Sequence, residues 1–169
     1  MSKRLTEKEI IGRKEWGALP PRAPRTRSDP AKLKGVVVHW FGSPKAARTH
    51  RGCAALLRSV QKNHMKGEFI DIAYSMAVCP HGKIYRARGF RYRTGANGTA
   101  KTNIDYGSVV WMGGVGDTAP TPEAKKSIRR VIDEFRRLGA GKAVRTHGSI
   151  TGSECPGPHL TKWVEGGAQ

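Results

Sequence analysis

The chain has 169 residues, 37% of them hydrophobic, and a formal net charge of +18. That length supports one domain with a core of its own, and no apolar run approaches the ~20 residues needed to cross a bilayer. The charge predicts attraction to a polyanion, whether nucleic acid, anionic lipid or a phosphate-bearing cell wall, without choosing among them.

Residues 1–34 are basic and proline-rich, with Pro20, Pro21, Pro24 and Pro30 among Arg22, Arg25 and Arg27. This predicts an extended arm packed over the domain, without helix or strand. The first residues are charged and no apolar signal core follows them, so a cytoplasmic protein is expected. Gly35 to Phe41 reads as a buried strand because Val36-Val37-Val38 is continuous and β-branched. Ala46 to about Met65 reads as a helix, with Cys53, Leu56, Leu57, Val60 and His64 on one face. Ile72 to Cys79 alternates like a strand, Pro80-His81-Gly82 turns, and Lys83 to Arg86 returns, which predicts a hairpin. Arg88 to Tyr106 reads as loop, and Ser108 to Met112 as another strand.

Thr121-Pro122-Glu123 is a helix start: an N-cap, a proline at the first helical position and an acid in the first turn. Its apolar face is Ile128, Val131, Ile132, Phe135 and Leu138, closed by Gly139. Lys125, Lys126, Arg129, Arg130, Arg136 and Arg137 are expected on the outer face. A short strand to His147, a loop, and a helical stub near His159 to Val164 complete the chain. No repeat or second domain is visible, so residues 35–169 are expected to form one unit. Three cysteines, an odd number, argue against a disulfide framework. Cys53 and Cys79 read as small buried residues, with a bridge between them as the alternative.

The loop from Thr146 to Gly157 sets His147 and Cys155 eight positions apart among Gly, Ser and Pro. Such a loop can fold back and bring both side chains to one point, and imidazole and thiolate are donors zinc prefers. His39, ending the valine strand, offers a third. Three protein ligands would leave zinc one open position, the mark of a catalytic site, and the expected chemistry is hydrolysis of a carbonyl compound. Tyr74, at alternate spacing with Met76 and Val78 in a strand that could neighbour the His39 strand, is a candidate to orient water or donate to an oxyanion. Ser153, two residues before Cys155, is a second polar candidate. Taken singly, His39 reads as a core histidine and Tyr74 as a packing residue; the order and spacing of all the candidates together point to a site.

The order of these segments resembles the zinc amidases of the type 2 N-acetylmuramoyl-L-alanine amidase family, which includes peptidoglycan recognition proteins and amidase-type phage lysozymes. The resemblance runs from about Ile11 to Leu160. It rests on Arg13-Lys14-Glu15-Trp16-Gly17-Ala18, Val37-Val38-His39-Trp40, the helix around Val60 to Met65 with Asp71-Ile72-Ala73-Tyr74-Ser75, Gly82 to Phe90, and His147 with Glu154-Cys155-Pro156-Gly157. It implies a mixed α/β fold, a central mixed sheet of about five strands flanked by helices, with zinc at the floor of a surface groove. It implies cleavage of the amide between N-acetylmuramic acid and L-alanine of the stem peptide. His39, His147 and Cys155 would be the zinc ligands and Tyr74 the catalytic tyrosine. Ser153 stands where relatives carry lysine or threonine. His64 matches a groove histidine that touches substrate in some relatives, against the reading of a helix-face core residue. Trp40 departs from the polar residues common after the first ligand and is expected to reshape the groove wall or to pack. Asn97 stands where relatives often have histidine, a candidate substrate contact.

These implications point to a monomeric phage endolysin, held in the host cytoplasm until release, with peptidoglycan as substrate. No separate wall-binding domain is visible, and the basic surface is expected to hold the enzyme to anionic wall polymers or lipid. The alternatives are a non-catalytic peptidoglycan-binding module and a basic nucleic-acid- or polymerase-binding regulator. No dedicated nucleic-acid motif is present.

Overall fold

Continuous apolar runs such as Val36-Val37-Val38 and Val109-Val110-Trp111-Met112 suit strands covered on both faces. The computed structural model, which describes residues 2–43, 47, 49–117 and 119–169, covers them so. The strands are β1 (Ile10–Ile11), β2 (Gly35–Gly42), β3 (Met76–Val78), β4 (Ile84–Arg86), β5 (Tyr106–Gly114) and β6 (Ala143–Thr146). They form one mixed sheet in the order β1-β4-β3-β5-β2-β6. Among the described strands β3 and β4 pair antiparallel and the other strand pairings are parallel. The helices are α1 (Arg13–Trp16), α2 (His50–Lys66), α3 (Ala100–Asp105), α4 (Pro122–Arg137), α5 (Gly148–Thr151) and α6 (Pro158–Glu165). Ala46, the expected start of the second helix, lies outside the described residues. Among the described residues no helix is long and apolar enough to cross a membrane.

Successive side chains of a strand point to opposite faces, and this divides the core in two. Val109 and Trp111 of β5, Met76 and Val78 of β3, and Val36 and Val38 of β2 pack with Ile128, Val131, Ile132 and Phe135 of α4. Val110, Met112 and Ala77 face the other way, toward Cys53, Leu57 and Val60 of α2 and the buried Trp16 of α1. Both helices start as their sequences require. The Thr49 and Thr121 hydroxyls accept from the backbone N–H groups of Gly52 and Ala124, and Pro122 occupies a first-turn position. Past the end of α4, Gly139 takes φ +106° and the Ala140 N–H returns to the Phe135 carbonyl.

Several expectations are corrected. The N-terminal segment contains regular structure: β1 adds a sixth strand at the sheet edge, and α1 buries Trp16, whose indole N–H donates to the Arg86 carbonyl at 2.8 Å. The segment from Arg88 to Tyr106 is not all loop, because Thr99 caps the short α3. The expected strand from Ile72 to Cys79 is regular only over Met76–Val78, so Tyr74 lies ahead of β3, and β5 stands between β3 and the His39 strand.

The basic face of α4 is not a free outer surface either. The N-terminal segment lies on it, with the Ser2 hydroxyl 2.7 Å from the Asp133 carboxylate and the Leu5 N–H donating to Glu134. Asp133 and Glu134 are buried and hold Arg129, Arg136 and Arg137 in ion pairs, while Arg130 pairs with Glu9. Helical periodicity places the basic residues opposite the apolar stripe; Lys126 and Arg137 are exposed there, while the N-terminal segment binds Asp133, Glu134 and Arg130.

Candidate metal centre

Strand register brings the first two expected ligands side by side. β2 and β6 run parallel with Val38 opposite Thr146, so His39, within β2, and His147, just past the end of β6, follow as neighbours. The His147 N–H continues the ladder to the Val38 carbonyl, and the two imidazole centroids are 4.6 Å apart. The loop beyond His147 turns through α5 and returns, closed by the Gly148 N–H donating to the Cys155 carbonyl at 2.7 Å. One ligand atom from each of His39, His147 and Cys155 lies within 4.8 Å of the others.

The loop rests on Trp40. Its backbone N–H donates to Cys155 Sγ at 3.4 Å, and its ring lies where a Cβ on Gly157 would fall, at 2.5 Å. Gly157 also has φ +84°, so both its space and its backbone call for glycine.

Two cavities flank the loop. One, of about 750 Å³, lies between Trp40, Trp111 and the first turn of α6. The other, of about 700 Å³, contains all three ligand candidates with Tyr74, His64 and Ser153. Trp40, Ser153 and Cys155 border both. The second cavity is where the chemistry converges. Tyr74 stacks edge-on against His39 with centroids 5.4 Å apart and contacts the His64 and Phe41 rings. Burial, and next the Cys155 thiolate charge, push its phenol above its ordinary value, so it carries its proton throughout the neutral range.

The donor set suits a soft or borderline metal ion. Burial pushes the Cys155 thiol up to about 11, partly offset by the Trp40 N–H. Burial lowers His39 to about 3, against the raising effect of its bond to Asn97, and lowers His147 as well. Without a cation the site therefore holds neutral imidazoles and a neutral thiol. His147 Nε2 is buried with no hydrogen-bond partner among the described residues, an unsatisfied atom that an added ligand would satisfy.

Asn97 corrects an expectation. It is fully buried and is not a groove contact. Its Oδ1 lies 2.9 Å from His39 Nε2, and its Nδ2 donates to the Thr102 and Tyr106 carbonyls. Those two donations fix Oδ1 as the acceptor, which puts the His39 proton on Nε2. Nδ1, 3.7 Å from Cys155 Sγ, is left with its lone pair toward the cluster. Asn97 is thus a positioning residue.

The other candidates lie in the groove. His64 is partly buried, and the Ala73 N–H donates to its Nδ1 at 3.0 Å, so it supports the Tyr74 segment as well as lining the cavity. Ser153 is exposed, and its hydroxyl accepts from Thr151 at 3.1 Å.

Sequence reasoning missed Asp71. It is fully buried, accepts from the Ile72 N–H and Gln61, and pairs with Arg13 at 3.0 Å. This network anchors the segment that presents Tyr74 to α1 and α2. The available signal was an acid opening an otherwise apolar run, matched by an arginine in the first family-like segment.

A central mixed sheet flanked by helices is the fold of the peptidoglycan-recognition proteins and their amidase relatives. The solved structure of peptidoglycan recognition protein-LE, in complex with tracheal cytotoxin, superposes with a TM-score of 0.84 at 22% identity, covering 94% of each chain. A peptidoglycan recognition protein of Bombyx mori is 29% identical over 165 residues, 93% of this chain and 82% of its own length. An N-acetylmuramoyl-L-alanine amidase of Mus musculus is 28% identical over 166 residues, 89% of this chain and 29% of that protein. No family profile matches the chain.

Proposed function

We propose that this chain is a zinc-dependent N-acetylmuramoyl-L-alanine amidase that cleaves the bond between the glycan and the first residue of the peptidoglycan stem. The observation that supports it most is the convergence of His39, His147 and Cys155 under the Tyr74 hydroxyl-bearing ring in one groove. His39, His147 and Cys155 would hold zinc, which would supply Lewis acidity to an amide carbonyl and to water at neutral pH. The chain's own residues do the rest. Asn97 keeps His39 in the tautomer that offers Nδ1. The protonated Tyr74 can donate to the oxygen that gains charge as the carbonyl is attacked. His64 and Phe41 form the walls along which a stem peptide would lie, and Ser153 offers a hydroxyl at the rim.

The basic surface supports a polyanionic setting. Arg4, Arg25, Arg27, Arg86, Arg91 and Arg137 line one further cavity, and Arg25 and Arg27 stack on Tyr92 with guanidinium carbons 4.1 and 5.1 Å from the ring centroid. We read this surface as holding the enzyme to anionic wall polymers. The proposal extends to a phage endolysin that stays in the host cytoplasm until release.

Mass analysis of digested, purified peptidoglycan tests the reading. Free stems beginning at L-alanine with intact glycan are expected, and both products should vanish with Cys155→Ala. Cut glycan, or lysis unaffected by losing Cys155, overturns it. Wall binding without any digestion would assign the chain to the recognition proteins.

A further inference from the structure

A second group of sulfur and nitrogen donors lies away from the groove, where the start of α2 meets the β3–β4 turn. Thr49 caps α2, which puts His50 and Cys53 one turn apart on the same side of the helix. Opposite them, Cys79 directly follows β3, and the Gly82 N–H donates to its carbonyl at 2.9 Å, so Cys79 and His81 share one tight turn. One ligand atom from each of His50, Cys53 and Cys79 lies within 4.8 Å of the others. His81 stands against both sulfurs, with Nδ1 3.3 Å from Cys53 Sγ and 3.7 Å from Cys79 Sγ, and its ring centroid is 6.5 Å from that of His50.

The two His81–sulfur separations match the edges of a tetrahedral site, and the exposed His50 and His81 rings would close on the ion. Zinc bonds of about 2.3 Å to sulfur and about 2.0–2.1 Å to nitrogen put the ligand–ligand edges at roughly 3.3–3.8 Å. The Tyr85 hydroxyl stands 3.1 Å from His50 Nδ1, an outer partner able to orient that ring. Both cysteines are buried and neither is in a disulfide, while both histidines are exposed. The sulfurs are therefore screened from water, and an ion can enter between the imidazoles.

We propose that His50, Cys53, Cys79 and His81 form a second zinc site, structural in kind, that clamps the start of α2 to the β3–β4 hairpin. Four protein ligands leave no open coordination position, so the site stabilises and does not catalyse. Two thiolates and two imidazoles select zinc over the hard cations magnesium and calcium. The clamp joins the helix that carries His64 to the hairpin that follows Tyr74, and so braces one wall of the groove. It does not depend on the groove being an amidase.

The test counts metal in the full chain after exchange into metal-free buffer. Cys155→Ala disables the groove cluster and should still retain one zinc per chain. Adding Cys79→Ser should abolish it. In the Cys155→Ala background, cobalt should produce the thiolate-to-metal charge-transfer band and the visible bands of a tetrahedral ion. His81→Gln and His50→Gln change exposed side chains and so keep the fold; each should weaken zinc binding in that background by ~10-fold or more. They decide the matter where Cys79→Ser does not fold. The proposal is overturned if Cys155→Ala takes up no zinc when one equivalent is supplied, or if both histidine variants bind as tightly as their parent. A Cys53–Cys79 disulfide in freshly isolated protein overturns it too. Failure of the groove reading looks different: the wild type would then hold one zinc that Cys155→Ala leaves in place.

Discussion

Replacing Asn97 with alanine tests how the groove is organised. The side chain is fully buried and makes three hydrogen bonds, one to His39 and two to backbone carbonyls. Truncation leaves the His39 Nε2–H buried without its partner, at a cost of about 1–3 kcal/mol. The two carbonyls each lose a bond worth about 0.5–1.5 kcal/mol net. A destabilisation near 3 kcal/mol is expected, measured by urea unfolding of the metal-free protein. The ring also loses the contact that selects its tautomer, so metal affinity should fall ~10–100-fold, equivalent to about 1.4–2.7 kcal/mol. Competition against a chelator of known affinity measures this. Thr94→Val is the control. Thr94 is equally buried, bonds the Ala73 carbonyl and the Ser108 hydroxyl, and does not touch His39. It should lower stability by about 1–3 kcal/mol and leave metal affinity alone. Equal affinities for wild type and Asn97→Ala, or an equal loss in both variants, would refute the assignment of Asn97 to His39.

Asp71→Ala leaves Arg13 without the carboxylate it pairs with and removes the acceptor of Gln61 and the Ile72 N–H. A loss of about 3 kcal/mol is expected in thermal or chemical unfolding, the lower end for a broken buried pair because Arg13 is partly solvated. A change below about 1 kcal/mol would show that the network does not anchor the Tyr74 segment. Acid should loosen the N-terminal segment from α4. Burial by itself would raise the carboxyls of Asp133 and Glu134, but Ser2 and Arg129 on the first, and Arg137 and the Leu5 N–H on the second, hold both below their ordinary values. Their contribution is complete above the unfolded-state values of about 3.9 and 4.3 and is lost as pH falls through the folded-state values. Asp133→Asn with Glu134→Gln should therefore be less stable at pH 7 yet show a shallower loss below about pH 4.5; equal slopes by circular dichroism would contradict this. Lysis and wall binding should both fall between low and physiological salt, where exposed charges are screened beyond ~8–10 Å. Salt-independent binding would remove the basic surface from the argument.

The sequence by itself determined the local features and the donor set. The valine run, the apolar run in β5 and the capped, amphipathic α4 are short-range patterns, and each element forms close to where its pattern lies. His39, His147 and Cys155 were legible because zinc chemistry restricts ligand types and the connecting loop is rich in residues that turn. Tertiary structure alone decided which groups meet across the chain. Asn97 reaches His39 from 58 positions away and Ser2 reaches Asp133 from 131. Periodicity identifies the side of an element that is buried; it carries no information about which distant segment covers the other side. That is why the N-terminal segment on α4 and the bond from Asn97 to His39 could not be read from the sequence, while the burial of Cys53 and Cys79 could. The packing of α2 against the hairpin turn brings those two cysteines together with His50 and His81, and no spacing within either segment announces it.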